Sequence, residues 1–337
     1  MSEDNLVSIS FEIMKHQFLS VLLKHDFAPD KAATCAQVFA ENSLEGIYTH
    51  GVNRFARFIE YVQKGFVKKD AEPIFAHSFG AIEQWNGNAG PGILNAIFCT
   101  ERALKLSGES GIGIVGLANT NHWMRGGTYG WLAAKKGYAF ISWTNTISVM
   151  PAWGAIEAKL GNNPLVIAMP YQDEAIVLDM AMSQFSYGKM ELKAMRGELL
   201  NVPGGYDETG NLSYDPGDIL KAKRPLAMGY WKGSGLALLL DILSAVIAGG
   251  QSTKDISVSA VETNVSQVFI AIDLTKLGKY SSIADVLESI IADYKSAKVS
   301  GDDEVRYPGE GVLKTKKQNL EQGIPVDRKV WEEILSL

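Results

Sequence analysis

One short stretch of the chain combines side chains that could move a proton beside a bound carboxylate. It is residues 48–54, with the sequence YTHGVNR, in which His50 precedes a glycine and Arg54 follows four residues later. If a helix starts at Gly51, Arg54 lies about one turn from His50 and on the same side. The arginine can then hold a carboxylate through two hydrogen bonds while the imidazole gives or takes a proton on the neighbouring oxygen. A structural role for His50, as a residue that caps the helix, fits the same pattern.

A second histidine lies in the polar stretch 119–127, with the sequence NTNHWMRGG. This stretch follows a predicted strand, and open α/β sheets bind their ligands where such strands end. His122 is therefore either a ligand-binding residue or a histidine whose nitrogens are satisfied by loop carbonyls. The other three histidines, His16, His25 and His77, lie in helical or strand-like segments, where we expect surface or structural roles.

Two glycine-rich stretches differ in the elements on either side of them. Residues 111–116 match the dinucleotide pattern G-x-G-x-x-G, but that motif needs a strand before the glycines and a helix after them. Here the order is reversed, which predicts a turn into a strand. Residues 229–235 (GYWKGSG) precede an apolar helix, and the helix N-terminus with Lys232 could bind an anion. A glycine-rich entry into a core helix, with Lys232 in solvent, is the alternative.

Periodicity and breakers predict the helices and strands that carry these residues. Short β-branched or aromatic runs predict strands at Ile74–Phe79, Ala81–Trp85, Gly113–Leu117, Tyr138–Trp143, Leu165–Ala168, Ala175–Met180 and Val268–Ile272. Apolar residues at helical spacing predict three N-terminal helices, the first after a Ser10 cap, the second from Pro29 toward Leu44 and the third from Gly51 to Gly65. Further helices are predicted at Ile93–Leu106, Thr128–Lys136, Gln184–Met195, Gly235–Ala248, Ile283–Ala297, Gly309–Leu320 and Asp327–Leu335, and an irregular loop at Pro203–Pro216.

The composition narrows the class of protein. The 337 residues are 46% hydrophobic and 21% charged, which is typical of a globular chain, and the formal charge of −6 without a basic block disfavours nucleic acid and anionic membranes as partners. The two cysteines form no disulfide or zinc pattern, and the acidic N-terminus is unlike a signal peptide, so we expect a cytoplasmic protein without a metal. The longest apolar stretch, Leu236–Ala248, is too short for a bilayer and predicts a buried core helix. Ser183 lacks the G-x-S-x-G pattern of a serine hydrolase.

Six stretches, in order along the chain, resemble the type-2 malate/L-lactate dehydrogenase family. They are residues 48–55 (YTHGVNRF), 121–127 (NHWMRGG), 150–155 (MPAWGA), 161–165 (GNNPL), 179–183 (DMAMS) and 229–235 (GYWKGSG). Residues 80–85 (GAIEQW) and 184–188 (QFSYG) resemble a branch of that family whose substrate is a sugar-derived 2-keto acid.

The resemblance implies an architecture as well as an activity. We expect an α/β, non-Rossmann fold with a largely antiparallel central sheet, flanking helices and a helical domain built from both chain ends. Residues 1–70 and 300–337 would form this substrate and dimerisation domain, and residues 71–299 would bind the nicotinamide cofactor. A homodimer with the cofactor in a cleft near the subunit interface is implied too.

The resemblance also assigns residues. His50 matches the proton donor, which we expect to be protonated; Arg54 would bind the substrate carboxylate, and His122 and Thr49 the polar tail. Thr49 stands where a serine is usual. The positions that match cofactor contacts are Ala175, Ile176, Val177, Leu178, Asp179, Met180, Ala181, Trp231, Lys232, Gly309, Glu310 and Gly311. A histidine is usual where Glu310 stands, and its negative charge favours NADH, with NADPH as the alternative.

The expected reaction is hydride transfer from NADH to the C2 carbonyl of a sugar-derived 2-keto acid. A malate- or lactate-like 2-hydroxy acid, or a cyclic imino acid, would be an alternative substrate on the same fold. An alternative from another class is a protein that binds a sugar acid or a nucleotide without turnover. Such a protein would bind NADH but would not oxidise it.

Overall fold

A computed structural model describes residues 5–259, 261–301 and 304–337. Its strands are β1 (Leu6–Ile9), β2 (Ile74–Phe79), β3 (Ile82–Asn86), β4 (Ile112–Thr120), β5 (Tyr138–Thr144), β6 (Ser148–Pro151), β7 (Ala158–Gly161), β8 (Leu165–Tyr171), β9 (Glu174–Met180), β10 (Gly205–Tyr206), β11 (Leu212–Ser213), β12 (Val265–Asp273) and β13 (Ile324–Asp327). Its α-helices are α1 (Phe11–Lys24), α2 (Pro29–Leu44), α3 (Val52–Gln63), α4 (Gly92–Ser110), α5 (Gly127–Lys135), α6 (Tyr187–Met195), α7 (Pro216–Ala222), α8 (Trp231–Ala248), α9 (Thr253–Ile256), α10 (Ile283–Lys295), α11 (Glu310–Gln322) and α12 (Arg328–Ser336).

A seven-stranded mixed sheet forms the centre, in the order β2-β3-β4-β12-β5-β8-β9. Only β3 and β4 run parallel among these neighbours; the other five pairs are antiparallel. The central strand β12 is buried along most of its length because helices cover both faces of the sheet. The chain therefore has an α/β fold with a mixed sheet, and all seven predicted strands are confirmed.

Different helices pack on the two faces of this sheet. Helices α4 and α5 cover one face, and their core includes the buried side chains of Trp123, Tyr129 and Phe269. Helix α8 lies on the other face, against β12 and β4. The loop that carries His122 follows β4, so its position depends on how α4 and α5 pack.

The two ends of the chain meet beside the sheet. Strands β1 and β13 pair antiparallel, with Leu6 opposite Asp327. Helices α1, α2, α3 and α12 share one core, in which the rings of Phe18 and Phe55 stack at 4.2 Å and Phe39 meets Phe55 edge-on at 5.1 Å. Each of these buried rings contributes about 1.5–3 kcal/mol of hydrophobic stabilisation. This shared core holds helix α3, which follows His50, against α1, α2 and α12.

The predicted boundaries at the N-terminus are confirmed by their caps. The Ser10 side chain accepts a hydrogen bond from the Ile13 N–H, and α2 begins at Pro29. The G-x-G-x-x-G match is also a turn into a strand, as predicted: Gly111 has a φ of +83° at the end of α4, and β4 begins at the next residue.

Three predictions need correction. Helix α8 begins at Trp231 rather than Gly235, and it is not a buried core helix, because only one of its faces packs on the sheet. Five aliphatic side chains on the other face are 42–70% exposed, those of Leu238, Leu239, Ile242, Leu243 and Val246. The predicted irregular loop at Pro203–Pro216 contains the hairpin β10–β11. The short elements β1, β6, β7, β13, α7 and α9 were not predicted.

Helix α8 is long and apolar enough to cross a membrane by length and composition, and a third of its window is buried within the protein. Its only acidic residue, Asp241, accepts hydrogen bonds from Asn145 Nδ2 at 2.9 Å and from the Thr253 N–H at 2.7 Å. These contacts tie α8 to the sheet.

Candidate active site

A cleft of about 1280 Å³ lies between the helices of the N-terminal region and the edge of the sheet. Both predicted chemical stretches contribute to it. Its polar and charged walls include Thr49, His50, Arg54, Arg57, His122, Thr146, Asn162, Asp179, Tyr187, Lys189 and Glu262. A cleft of this volume exceeds what a small organic acid needs, since typical small-molecule sites span about 300–1,000 Å³.

His50 ends a short 3₁₀ turn, Tyr48–His50, that leads into α3. Its carbonyl accepts a hydrogen bond from Asn42 Nδ2 at 3.0 Å, and its Nδ1 lies 3.2 Å from Thr49 Oγ1. The backbone and one ring nitrogen are thus engaged by the protein. Nε2 is the nitrogen left for a ligand.

Gly51 is required at its position by close packing. A Cβ there would lie 2.2 Å from Ser43 Oγ and 3.0 Å from the Phe39 carbonyl. The same Ser43 hydroxyl accepts a hydrogen bond from the Val52 N–H at 2.8 Å, which satisfies a free donor at the start of α3. The glycine therefore lets α2 approach closely enough to fix the turn that carries His50.

His122 is held by a strained, heavily hydrogen-bonded loop after β4. Asn119, near the end of β4, has a φ of +53°, and Met124 in the loop itself has a φ of +65°. The Asn121 side chain anchors the loop by donating to the carbonyls of Phe66, Ala89 and Gly90. Strain of this kind persists only where the surroundings enforce it, and it is common at functional sites.

The two imidazoles stack in the cleft. Their ring centroids are 5.5 Å apart and their planes are 17° from parallel. Burial, followed by the positive charges of Arg54 and Arg125, lowers the pKa of His50 to about 4. Burial, Arg54 and His50 together lower the pKa of His122 well below its usual value. Both rings are neutral at pH 7 in the free protein, which differs from the protonated His50 expected from the sequence.

Arg54 supplies a positive charge to the same space. Burial lowers its pKa, the Glu262 carboxylate opposes that shift, and Arg57 adds to it. Among the residues that the structure describes, none accepts a hydrogen bond from the Arg54 guanidinium. Its donors therefore remain available to an anion.

A network of largely buried charges reaches the wall of the cleft at Arg125 and Asp179. The Arg125 guanidinium, only 4% exposed, pairs with the Glu45 carboxylate, and its Nε lies 3.8 Å from Asp179 Oδ2. Burial raises the pKa of Glu45, but Arg125 and Lys316 outweigh that effect and lower it. Burial raises the pKa of Asp179, although Arg125 and a hydrogen bond from the Gly127 N–H act to lower it. This network joins α2, α5, α11 and β9 around the cleft.

The predicted cofactor residues fall into three places. Of the stretch Ala175–Ala181, Asp179 and Ala181 line the cleft. Residues 309–311 do not line it, but they pack against the same strand, because the Val177 N–H donates to the Pro308 carbonyl at 3.0 Å. Trp231 and Lys232, at the exposed start of α8, do not line the cleft of their own chain.

Glu262 is a cleft residue that the sequence analysis did not find. It lies in the loop before β12, its side chain is 15% exposed, and its Oε2 accepts a hydrogen bond from the Ile147 N–H at 3.2 Å. No sequence signal distinguishes it, since a single acidic residue in a loop is usually solvated. Within the described ranges, no three His, Cys, Asp or Glu side chains are grouped so that they could hold a metal ion.

The chain matches known proteins over its full length. The family model for malate/L-lactate dehydrogenase matches residues 9–335. A relative from Pasteurella multocida named 2,3-diketo-L-gulonate reductase is 43% identical over 333 residues, which covers 98% of this chain and 100% of the relative. A relative of the same name from Salmonella paratyphi C is 43% identical over 334 residues, with the same coverage.

Solved structures agree with this match. Malate dehydrogenase from Pyrococcus horikoshii superposes with a TM-score of 0.89 at 26% identity and covers 98% of this chain and 94% of its own. Malate dehydrogenase from Entamoeba histolytica has the same fold, with a TM-score of 0.91 at 23% identity and coverage of 98% and 97%. The chain belongs to the malate/L-lactate dehydrogenase family.

Proposed function

We propose that this protein is a reductase that transfers hydride from NADH to the C2 carbonyl of 2,3-diketo-L-gulonate, giving 3-keto-L-gulonate. One observation carries the chemistry: His50, Arg54 and His122 line a single cleft although 72 residues separate the two histidines. The choice of substrate is supported by the full-length relatives that bear this reductase name.

The chain's own residues have defined roles in this reaction. Arg54 binds the substrate carboxylate through its free guanidinium donors, which orients the carbonyl. His50 donates a proton from Nε2 to the oxygen at C2, while Thr49 at Nδ1 keeps the ring in place. His122 and Thr49 bind the polar tail. The positive guanidinium also stabilises the negative charge that develops on the oxygen, so the step needs no metal.

The cleft fits a nicotinamide nucleotide beside the substrate. Its volume of about 1280 Å³ leaves room for both, and Asp179, Ala181 and Asn162 line it. Asn162 Oδ1 accepts a hydrogen bond from the Ser183 N–H, whereas no residue in the described ranges accepts one from its Nδ2, which suits that donor to a carboxamide oxygen. When bound, the reduced nicotinamide supplies the hydride.

The pKa of His50 couples proton delivery to substrate binding. At about 4 it is lowered by burial and by two guanidinium groups, so the imidazole is neutral at pH 7 until an anion arrives. A carboxylate bound to Arg54 offsets that positive charge and raises the pKa. We expect log kcat/KM for reduction to fall with increasing pH above about 4, because this ratio reports the free enzyme, while kcat falls only at a higher pH. Coincident pH profiles would contradict this coupling.

NADH is the preferred nucleotide in this proposal, with NADPH as a weaker donor. Glu310 lies at the start of α11, where its carboxylate pairs with Lys295 and accepts from the Tyr307 N–H at 3.3 Å. A carboxylate in this position repels the extra phosphate of NADPH. The match of Ala175–Ala181, Trp231 and Gly309–Gly311 to cofactor contacts supports the same assignment, with residues 231–232 supplied by a second subunit.

A homodimer accounts for the outer face of α8. Leu238, Leu239, Ile242, Leu243 and Val246 form a contiguous aliphatic surface that a monomer would leave in water. Pairing with a second copy buries it and places the start of α8 beside a neighbouring cleft.

We divide the chain into a helical substrate and dimerisation domain, residues 1–70 and 300–337, and a cofactor domain, residues 71–299. The β1–β13 pairing and the shared aromatic core support this division. We also propose that the fold is non-Rossmann, and the mixed sheet, with five of its six strand pairs antiparallel, supports this. The free thiols of Cys35 and Cys99, both buried, suit the reducing cytoplasm.

The test is the loss of NADH absorbance with 2,3-diketo-L-gulonate as substrate, beside oxaloacetate, pyruvate and a cyclic imino acid. His50→Gln should lower kcat by about 10²–10⁴-fold while calorimetry shows unchanged NADH binding. An unchanged rate removes His50 from the mechanism. Faster turnover of another acid reassigns the substrate, and NADH binding without oxidation of any substrate would make the chain a binding protein.

A further inference from the structure

Glu262 places a free carboxylate oxygen in the cleft. Its Oε2 is held by the Ile147 N–H at 3.2 Å, which fixes the direction of the carboxylate. Its Oε1 accepts no hydrogen bond from any residue in the described part of the chain, and the neutral His122 ring lies nearby, with Nε2 4.0 Å from Oε1. The charged group that acts on this carboxylate is the Arg54 guanidinium. Glu262 lines the cleft, and Oε1 is the oxygen that its backbone hydrogen bond leaves for a ligand.

His122 presents a donor to the same space. Its Nδ1 accepts a hydrogen bond from the Met124 N–H at 2.9 Å, so that nitrogen carries no proton. The proton of the neutral ring therefore lies on Nε2. A fixed donor, His122 Nε2–H, and a fixed acceptor, Glu262 Oε1, thus stand 4.0 Å apart, which is too far for a direct hydrogen bond.

The gap between these two atoms suits one kind of group. An oxygen placed at about 2.8 Å from each would subtend an angle of roughly 90° between them, which a hydroxyl can satisfy by accepting from His122 and donating to Glu262. A carbonyl oxygen can accept but cannot donate. A second carboxylate, as in oxaloacetate, would also be repelled by Glu262.

We propose that Glu262 and His122 form a subsite that selects substrates by a hydroxyl group on the tail beyond the reacting carbonyl. This inference rests on the proposed function and deepens it, because 2,3-diketo-L-gulonate carries hydroxyls beyond its two carbonyls and pyruvate carries none. Glu262 is the specificity-determining residue, since it supplies the acceptor that only a hydroxyl donor satisfies.

Glu262→Gln tests this role with little change in size. The amide oxygen keeps the hydrogen bond from the Ile147 N–H, so the amide NH₂ faces the cleft. Two donors, this NH₂ and His122 Nε2–H, then stand where a donor and an acceptor stood. A merely structural role for Glu262 would predict instead that the variant weakens all substrates alike.

The experiment compares kcat/KM for 2,3-diketo-L-gulonate with kcat/KM for pyruvate, in the complete enzyme with NADH. Glu262→Gln should lower the ratio of the two by about 10- to 100-fold, the effect of a hydrogen bond to a charged group. The matched control is Glu101→Gln on α4, an exposed residue paired with Lys136, which should leave the ratio unchanged. An unchanged ratio in Glu262→Gln, or an equal loss with both substrates, overturns the inference.

Binding separates this inference from the proposed function. Calorimetric dissociation constants for the same two acids need no turnover, and their ratio should shift by the same factor. If the wild-type chain oxidises no NADH but the binding ratio shifts, the proposed function fails and the hydroxyl subsite stands. If Glu262→Gln does not fold, as judged by thermal unfolding, His122→Phe removes the donor from the same subsite and should lower the same ratio; an unchanged ratio there overturns it too.

Discussion

The buried imidazole of His50 makes the stability of the protein sensitive to acid, and the size of the effect follows from its pKa. The folded chain holds that pKa at about 4, whereas an imidazole in the unfolded chain titrates near its usual value of 6.5. Between these pH values the unfolded state binds a proton that the folded state does not. The free energy of unfolding therefore falls as the pH drops from 6.5 toward 4, and it is fully retained above 6.5.

The magnitude is set by the separation of the two pKa values. One pKa unit corresponds to about 1.4 kcal/mol, so the full loss below pH 4 is about 3 kcal/mol. At pH 5 the unfolded imidazole is almost fully protonated and the folded one almost fully neutral, which corresponds to a loss of about 2 kcal/mol relative to pH 8.

Urea unfolding at pH 8 and pH 5, at one protein concentration, measures this loss. His50→Gln replaces the imidazole by a neutral amide. Titrating groups away from the stacked rings act alike in both proteins, so their effects cancel, and repeating the comparison in a His122→Gln background removes the contribution of the ring that is coupled to His50. We expect the wild type to lose about 2 kcal/mol more than the variant between these two pH values. The control His16→Gln changes an exposed imidazole on α1 and should retain the wild-type acid dependence. Equal losses in the wild type and His50→Gln would mean that burial does not hold the pKa of His50 low.

Three further changes test the scaffold around the site. Gly92→Ala places a Cβ 2.3 Å from the carbonyl oxygens of residues 121 and 122, which must shift the loop that carries His122, so kcat/KM should fall at least tenfold. The control Gly108→Ala lies in the same helix, where a Cβ would be 4.0 Å from its nearest neighbour, and it should raise the free energy of unfolding by as much as about 1 kcal/mol. Arg125→Met removes one of the two cations that pair with the Glu45 carboxylate and leaves only Lys316, at 2.9 Å, so it should cost about 1–3 kcal/mol in urea unfolding; a cost near zero would exclude a supporting role for the pair. Val246→Asp puts a charge on the outer face of α8 and should give monomers in light scattering, while an unaffected dimer would place the interface elsewhere.

Regular elements could be predicted from the sequence where burial imposes a period. Helix α3 has a well-separated apolar face. Three of the residues whose spacing predicted it, Phe55, Phe58 and Ile59, are buried, and the fourth, Val62, is half-buried. Strand β2 was also predicted correctly, at Ile74–Phe79, although it is exposed at the edge of the sheet. The pair β1–β13 was missed because each strand has only four residues and its partner lies at the opposite end of the chain.

Helix α8 shows why an apolar run does not settle where a helix lies. Its composition suits a buried core, a membrane span and a subunit interface equally well. Only the packing shows that Ala237 and Leu240 face the sheet while Leu239 and Val246 face outward.

The site could be predicted in part for a similar reason. His50 and Arg54 are neighbours on one helical turn, so their convergence follows from local geometry. The stacking of His50 on His122 depends on how α2 packs against the loop after β4, and no local pattern encodes it. Glu262 reaches the cleft from a third segment, so its role emerges only from the fold.

The charges in the cleft come from separate segments of the chain, and together they set the electrostatic potential of the site. Arg54 and Arg125 bring two permanent positive charges close to two imidazoles, and burial keeps both imidazoles neutral. The charge of Arg125 is balanced by Glu45 within the protein, whereas the charge of Arg54 is countered by the nearby Glu262. Burial raises the pKa of Glu262, although Arg54 and a hydrogen bond from the backbone act to lower it. The free site therefore carries an excess of positive potential that a substrate anion removes. Because the same potential keeps the proton off His50, binding of the anion in the reaction proposed above both fills the site and allows the proton donor to form.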